Sequence, residues 1–425
     1  MSERLDIILF GATGITGKTT IPYLYKFAAE KSSLKWGIAG RSKQKLKDIL
    51  SETAKRIDVH DLSHIPIIIA DVENEDSIRS MTAQAKVIIN CCGPYKLYGE
   101  VVIKACVDSG THHLDLTAEL QFIEEMKLKY HKEAEEKGIY IVNACGFDSV
   151  PSDLGTLFVE KHFEGTMNSV EMYMHTYFQA GSTSDPKIGY GTWASLVNAM
   201  GDFRNILSLR KKIYPKPLSD LRPKLSLRYP FHKIDNKWAL PYPTTDAGII
   251  QNSHKYFYDN EEKRPIQVRS YILMDSFITA MSVIFRGFFL FFLAQCKFGR
   301  NLLLKYPEFF TGGFFSSKDI PDDVSERIHF SFTLLCKGWK ERITEIKCDT
   351  PTNKTVVGRI SGINPVYGVT GLAATLGAIS ILKEPKQLPF KGGVYTPAVA
   401  FSKTSLLDEL QKNGVIFEII SNKED

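Results

Sequence analysis

The chain has 425 residues, of which 44% are hydrophobic and 24% are charged, and its formal net charge is +5. These values exclude disordered, collagen-like and disulfide-scaffold proteins, and they predict more than one domain. The modest charge gives no reason to expect a nucleic-acid partner. The seven cysteines lack the two-residue spacing of zinc sites, so we expect reduced thiols and no metal site.

The first 150 or so residues alternate between short apolar runs and helical patterns. The predicted strands are Leu5–Phe10, Leu34–Ala39, Ile65–Ala70, Lys86–Cys91, His113–Leu116 and Ile139–Asn143. Helical patterns separate them, beginning with Ile15–Glu30. This alternation predicts an α/β fold with a Rossmann doubly wound parallel sheet. The polar first six residues lead directly into a strand, so we expect no signal peptide and a cytoplasmic origin.

A second domain is indicated after Asp153, where the strand patterns become longer. Its predicted strands are Val170–Phe178, Ile328–Lys337 and Arg342–Cys348. We therefore predict a Rossmann domain over residues 1–155, a central α+β domain over 156–364, and a C-terminal return onto the Rossmann domain over 365–425. The central domain carries a long irregular insertion, about 201–323, that is first basic and then apolar.

A glycine-rich turn joins the first predicted strand to the first predicted helix, with glycines at Gly11, Gly14 and Gly17. Gly11 permits a tight turn, Gly14 lets backbone amides approach a pyrophosphate, and Gly17 lets the helix lie close to the sheet. Thr13 and Ile15 lie in the same turn. The sequence therefore predicts a dinucleotide-binding site.

The choice of dinucleotide depends on the end of the second strand. An acidic residue there would bind the adenosine ribose of NAD, but this chain has Arg41 and Ser42, and an arginine suits the 2′-phosphate of NADP. We predict NADP and leave NAD open, because Arg41 also fits a solvated charge at a helix start. The predicted cofactor-binding residues are Gly11, Thr13, Gly14, Ile15, Gly17, Arg41, Ser42, Asp71, Asn90, Gly93 and Pro94.

Five sequence blocks together resemble the saccharopine dehydrogenase-like oxidoreductases of animals, and the resemblance covers essentially the whole chain. They are 11–17, 39–42, 90–95, 113–119 and 146–153. The resemblance implies a Rossmann domain completed by a C-terminal return, a central α+β domain, and association with membranes or lipid droplets. A more distant similarity to the trans-acting enoyl reductases implies a link to glycolipid biosynthesis. The aromatic central domain shows no charged site for saccharopine itself.

Eight side chains at the ends of the fourth, fifth and sixth strands could supply the proton that a reductase needs. They are Tyr95, Tyr98, His112, His113, Asp115, Asp148, Ser149 and Asp153. We put forward Tyr95, Asp148 and Ser149 as catalytic candidates and leave the catalytic residue unassigned. Each has a structural alternative, since Tyr95 fits a packing residue and Ser149 with Asp153 fits a helix N-cap and its first turn.

Residues 276–296 are apolar for about the length of a bilayer, but Arg286 and Gly287 interrupt the run, so the uninterrupted part is too short to span. Aromatic residues continue to Phe315. We expect the segment 277–315 to bind a membrane or lipid-droplet surface as an interfacial hairpin. A dimer interface, a buried helix and a true span stay open as alternatives.

A basic strip upstream of this segment would add attraction to anionic lipid. Its residues are Arg204, Arg210, Lys211, Lys212, Lys216, Arg222, Lys224, Arg228, Lys233 and Lys237.

Together these patterns predict an NADP(H)-dependent oxidoreductase that acts on a lipid-like or otherwise apolar substrate. We expect it at a lipid droplet or at the cytosolic face of membranes, with a homodimer left open. The alternative is a non-catalytic membrane-associated protein that keeps its Rossmann domain as a scaffold or nucleotide sensor.

Overall fold

The fold comes from a computed structural model. It describes residues 3–30, 34–178, 188–201, 203–213, 221–226, 228–229, 231–242, 244–316 and 326–424. From the predicted basic strip, Lys216 and the side chain of Arg204 lie outside the described part.

Sixteen strands occur in the described part of the chain. In order they are β1 Leu5–Phe10, β2 Trp36–Gly40, β3 Ile67–Ile69, β4 Ala85–Asn90, β5 His112–Asp115, β6 Tyr140–Val142, β7 Thr166–Phe178, β8 Ile188–Gly189, β9 His232–Ile234, β10 Lys237–Pro241, β11 Gln267–Met274, β12 Phe315–Ser316, β13 Ile328–Trp339, β14 Lys354–Ile363, β15 Gly393–Tyr395 and β16 Ile416–Glu424.

Fifteen α-helices lie between these strands, again among the residues described, and a π-helical turn, Pro365–Val369, precedes the thirteenth. The helices are α1 Ile15–Glu30, α2 Lys43–Arg56, α3 Glu75–Ala83, α4 Tyr95–Ser109, α5 Leu120–Lys137, α6 Val150–Phe163, α7 Tyr190–Gly201, α8 Phe203–Ile213, α9 Thr245–Glu261, α10 Phe277–Ala294, α11 Lys297–Lys305, α12 Pro307–Thr311, α13 Thr370–Lys383, α14 Pro397–Phe401 and α15 Leu406–Lys412.

The first sheet has seven parallel strands in the order β15-β6-β5-β4-β1-β2-β3. Successive residues of a strand point to opposite faces. Accordingly, Ile7 and Leu9 of β1 enter the main hydrophobic cluster, while Ile8 and Phe10 enter a second cluster on the other face. The order 3-2-1-4-5-6 is that of a dinucleotide-binding fold, which confirms the predicted α/β Rossmann class.

The second sheet also has seven strands, in the order β16-β14-β13-β7-β11-β10-β9, and all neighbours are antiparallel except β7 and β11. Alternate residues of β13 are buried, among them Phe330, Phe332 and Leu334. They pack in the main cluster with Leu154 and Leu157 of α6. The core is therefore continuous between the two sheets.

Two predictions for the second domain are wrong. Residues 342–348 form a loop rather than a strand, and the strand that follows β13 is β14. The predicted insertion is not irregular, because β9, β10 and β11 complete the second sheet there. Strands β9 and β10 form a tight hairpin through Asp235 and Asn236, whereas β11 pairs with β7, about 100 residues earlier in the chain, so its place in the sheet leaves no local pattern.

The C-terminal segment divides between the two sheets. Helix α13 packs against α1, and β15 adds a seventh strand to the first sheet. The last strand, β16, pairs instead with β14 of the second sheet. The return onto the Rossmann domain therefore ends before residue 416.

A third small unit lies outside these sheets. Helices α7 and α10 to α12, with the two-stranded β8–β12 pair, have a hydrophobic cluster of their own, formed by Trp193, Val197, Leu290, Ala294 and Leu303. We call residues 188–201 and 277–316 the outer helical unit.

Arg264 joins three loops beneath the second sheet. It is 5% exposed, and its guanidinium group donates hydrogen bonds to the carbonyl oxygens of Glu345 (2.9 Å), Arg222 (2.8 Å) and Ile346 (3.1 Å) and to Asn168 Oδ1 (2.8 Å). The same group lies 4.9 Å from the centre of the Trp339 ring.

Replacing this side chain should destabilise the fold because several buried acceptors lose their donor. We expect Arg264→Ala to lower the free energy of unfolding by about 3 kcal/mol or more. Thermal and urea denaturation measure the change, with Arg79→Ala as the control because Arg79 is an exposed helix residue. An equal, small effect of both substitutions would show that Arg264 does not hold these loops.

Candidate functional site: the cofactor edge of the first sheet

The glycine turn lies between the carboxyl ends of β1 and β4, where the strand order reverses. Gly11 has a φ of +81°, and a Cβ atom there would lie 3.0 Å from the carbonyl carbon of Cys91. The Gly11 amide donates to the carbonyl of Ala39 at the end of β2 (3.0 Å). Both the backbone conformation and the lack of space therefore require glycine.

Helix α1 begins directly after this turn. A Cβ atom on Gly17 would lie 2.3 Å from the carbonyl oxygen of Gly11, so any side chain there would push the helix away from the sheet. Thr13 and Gly14 are exposed, and Ile15 is half-buried. The first amides of a 16-residue helix thus face an open edge, an arrangement that binds phosphate.

The ends of β2 and β3 bring Arg41 and Asp71 to the same edge. Arg41 is exposed, whereas the Ser42 hydroxyl caps α2 by accepting from the Lys45 amide (3.4 Å). Asp71 accepts from the Glu73 amide (3.2 Å). Burial raises the pKa of the nearby Cys92 thiol, and the charges of Arg41 and Asp71 act on it in opposite directions.

Asn90 ends β4 beside the glycine turn and is fully buried. Its Oδ1 accepts from the Cys92 amide (3.0 Å), but its Nδ2 has no hydrogen-bond partner among the described residues. Buried donors are seldom left unpaired. A bound ribose or carboxamide oxygen would satisfy this one, so the edge fits a nicotinamide dinucleotide, with exposed Gly93 and half-buried Pro94 beside it.

Tyr95 holds two strand ends together. Its buried hydroxyl donates to the carbonyl of Asn90 (3.0 Å) and accepts from the Leu116 amide (3.4 Å). Burial raises its pKa well above the usual value. These contacts favour the packing interpretation of Tyr95 over a catalytic one.

The carboxylate of Glu119 was not among the predicted site residues. It accepts from the backbone amides of Tyr95 (3.0 Å) and Lys96 (2.9 Å) and from the hydroxyl of Ser195 (2.7 Å). The carboxylate therefore pairs with the free amides at the start of α4 and offsets the positive end of that helix dipole. Its bond to Ser195 joins α7 to the same point. The partners lie 24 and 76 residues away in sequence, so no local pattern indicates this role.

Two polar residues of β5, Asp115 and His112, hydrogen-bond to β6 and to the residues that follow it. Asp115 is fully buried and accepts from Asn143 Nδ2 (2.6 Å) and the Ala144 amide (3.1 Å). Burial raises its pKa to about 7, and burial lowers the pKa of His113 to about 3. His112 accepts from the Tyr140 amide (3.0 Å). These contacts favour a structural role for this group.

Asp148 lies on the same sheet edge, beyond β6. Asp148 is exposed at the surface. Partial desolvation by the surrounding protein raises the pKa of its carboxyl to about 6. The carboxyl of Asp246, at the start of α9, accepts from Ser152 (2.6 Å) and Thr244 (2.9 Å), and burial raises its pKa to about 7. Sequence reasoning missed Asp246 because α9 lies far along the chain.

Ser149 and Asp153 differ from Asp148. Ser149 occupies the N-cap position of α6 without a side-chain capping bond, and its buried hydroxyl has no partner within the described residues. Asp153 is buried and accepts from Ser253 (2.9 Å) and the Ala398 amide (2.8 Å). Of the eight candidates for a proton donor, Asp148 thus combines solvent access with a raised carboxyl pKa.

A second candidate site is the outward face of the outer helical unit. Helix α10 runs without a break through Gly287, and its large exposed side chains include Phe285, Phe288, Phe289 and Phe292. Helices α11 and α12 carry further exposed phenylalanines, Phe298 and Phe309. The segment is thus a three-helix surface rather than a hairpin, and Phe291 is half-buried within it.

Helix α10 also meets a length and composition criterion for a membrane span, as does the segment Pro365–Lys383. The two differ in burial, since 17% of α10 is buried against 89% of the other segment. An 18-residue helix is about 27 Å long, slightly less than the bilayer core of about 30 Å. The Arg286 guanidinium group donates to the carbonyl of Thr311 (3.2 Å), which keeps a charge beside the exposed face.

Four residues of the predicted basic strip are paired with acids. Arg210 bonds Glu124 (2.8 Å), Arg228 bonds Glu171 (2.6 Å), and Lys237 bonds Asp275 (2.6 Å). Arg222 lies 3.8 Å from Asp349. Counting charges along the chain missed these acids because most come from distant segments.

The fold and the edge together define a two-domain, dinucleotide-dependent oxidoreductase of the Rossmann class. A family model described as the saccharopine dehydrogenase NADP binding domain matches residues 7–142. The first domain is therefore an NADP-binding domain, which confirms the predicted cofactor.

The chain belongs to the family of saccharopine dehydrogenase-like oxidoreductases. It is 34% identical to the protein of that name from Homo sapiens over 424 residues, 98% of each chain. It is 31% identical to a lipid droplet localized protein from Caenorhabditis elegans, covering 99% of each. The structure of apo saccharopine dehydrogenase from Saccharomyces cerevisiae has the same fold, with a TM-score of 0.52 at 13% identity over 98% of this chain and 100% of that one.

Arg41 is the side chain that we expect to select NADP. Arg41→Asp should weaken NADPH binding on the order of tenfold to a hundredfold, since a charge-assisted hydrogen bond is lost and a repulsion is added. NADH binding should improve relative to NADPH. Fluorescence titration with both cofactors measures the change, and Lys45→Asp, on the exposed face of α2, is the matched control. Unchanged NADPH affinity in Arg41→Asp would contradict this assignment.

Proposed function

We propose that the protein is an NADPH-dependent reductase that acts on a lipid-like substrate while attached to a phospholipid surface. The observation that carries the proposal is the exposed phenylalanine face of α10. Monomeric soluble proteins seldom expose contiguous apolar patches of this kind without a partner. A lipid surface is the partner that we favour because the face carries many large aromatic side chains and adjoins cationic groups, Lys297, Arg300 and Lys305.

Attachment parallel to the surface is energetically favourable. Burying one large apolar side chain contributes roughly 1.5–3 kcal/mol, so several exposed phenylalanines together would hold the protein. A charged arginine at the bilayer centre costs roughly 3 kcal/mol, and Arg286 avoids most of that cost if α10 lies in the interface. The lipid-droplet name of the C. elegans relative supports a lipid droplet as the location.

The proposed chemistry combines the cofactor edge with Asp148. Bound NADPH would supply the hydride. Asp148, which follows β6 at the same edge, would hold a proton on its carboxyl and donate it to the substrate. The charge of Asp148 contributes to the raised pKa of Asp246, so the two carboxyls lie close enough to interact.

An apolar substrate is also supported by the positions of the arginines. Arg210, Arg228 and Arg264 of the second domain are each bonded to protein groups. They are therefore already engaged and do not present a site for a charged amino diacid.

Membrane attachment is tested by vesicle flotation. The double substitution Phe288→Glu and Phe292→Glu should lower the fraction that floats with phospholipid vesicles by more than about a hundredfold in partition coefficient, since about 3 kcal/mol or more is lost. The control is Leu128→Glu with Phe390→Glu, which adds the same charge at two exposed apolar positions elsewhere. NADPH binding should be unchanged in both.

Three outcomes would count against this attachment. The double variant could unfold or lose a dimer, which would assign the face to a core or a subunit interface. The native protein could fail to float at all. Protease protection of a tag at only one terminus would show that α10 crosses the membrane.

Hydride transfer is tested with NADPH deuterated at the nicotinamide C4 and a total lipid extract. Deuterium should appear in an extracted lipid, and the rate should fall as pH rises through about 6, because Asp148 must be protonated to donate. Asp148→Asn should reduce the rate on the order of a hundredfold or more while NADPH still binds. If the native protein binds NADPH but labels no lipid at any pH, the non-catalytic alternative is correct.

A further inference from the structure

Helix α7 touches both candidate sites. One set of its contacts reaches the cofactor edge, and another reaches the helices that carry the exposed phenylalanines. The described residues therefore connect the two sites through this 12-residue helix and through β8, the strand that precedes it and pairs with β12.

The contacts with the cofactor edge lie at two points. Just before α7, the Gly189 amide donates to the Tyr367 hydroxyl (2.7 Å), and a Cβ atom on Gly189 would lie 2.6 Å from Ile15 Cδ1. Within α7, the Ser195 hydroxyl donates to Glu119 (2.7 Å). Ile15 belongs to the turn that opens α1, so the first point adjoins the phosphate-binding loop.

The second point adjoins the other half of the cofactor site. Glu119 also accepts from the amides of Tyr95 and Lys96, which directly follow Pro94. A cofactor that orders the glycine turn and the start of α4 therefore orders both points at which α7 is held.

The opposite side of α7 is buried against the lipid-facing helices. Trp193 and Val197 pack in one cluster with Leu290 of α10 and Leu303 of α11. The Trp193 indole donates to the Leu303 carbonyl (2.9 Å), and Gln295 donates to the Met200 carbonyl (2.9 Å). Helix α7 is therefore packed and hydrogen-bonded to α10 and α11, in a cluster that is separate from the main core.

We propose that NADPH binding and phospholipid binding strengthen one another through α7. The proposal rests on the membrane attachment proposed above and adds a regulation to it. The bound cofactor holds the two anchor points in place, so that α7 presents the phenylalanine face in one orientation. Linkage requires that the lipid surface in turn strengthens cofactor binding by the same factor.

The experiment measures both halves of this linkage on the full chain. Partition into vesicles of phosphatidylcholine with phosphatidylserine is measured with and without saturating NADPH, and NADPH affinity is measured with and without vesicles. We expect NADPH to raise the vesicle partition coefficient about fivefold or more, and vesicles to raise the NADPH affinity by the same factor. Vesicle binding with both factors equal to one would overturn the linkage and leave the attachment intact. Absence of vesicle binding in every condition would overturn both.

Two substitutions remove the anchors while leaving the glycine turn and the exposed phenylalanines unchanged. Tyr367→Phe with Ser195→Ala deletes the hydrogen bonds at both points and should keep NADPH binding and flotation, while the two factors fall to one. The matched control is Tyr395→Phe with Ser405→Ala, which deletes hydroxyls bonded to Gly392 and Glu384 away from α7. Factors that survive in the anchor variant would show that α7 does not carry the coupling.

Discussion

The close approach of α1 to the end of β1 is the constraint on which the cofactor site depends. There is no room for a side chain at Gly11 or Gly17, because the backbone of Cys91 and the Gly11 carbonyl occupy that space. This contact places the start of α1 at the point where the strand order reverses. The carboxyl ends of β2, β3 and β4 then bring Arg41, Asp71 and Asn90 to the same edge.

The second domain depends on this edge as well. Glu119 follows β5 of the first sheet. Its carboxylate accepts hydrogen bonds from the start of α4 and from Ser195 of the outer helical unit. Phe147 and Thr370 make a further link near the same edge, with the Phe147 amide donating to the Thr370 hydroxyl (3.0 Å). One row of polar contacts thus links the segment that carries Asp148, and α7, to the cofactor edge.

Two apolar helices show how context decides the role of similar sequences. Helix α13, with its small residues, packs against α1, and a Cβ atom on Gly371 would lie 3.0 Å from Thr20 Oγ1. Helix α10, with its large aromatic residues, buries only Ala280, Leu290 and Ala294. Small side chains permit close helix packing. The phenylalanines of α10 have more apolar surface than the small core of the outer helical unit can bury.

The sequence by itself determined the Rossmann class and the glycine turn and favoured NADP over NAD, because each rests on patterns local to a strand and the turn or helix that follows it. Strands β1 to β6 lie within a few residues of their predicted positions for the same reason. Only the tertiary structure decided the pairing of β16 with β14, the insertion of β11 beside β7, and the roles of Glu119 and Asp246. Those features join residues far apart in the chain, so the geometry that selects them exists only after the two sheets have packed.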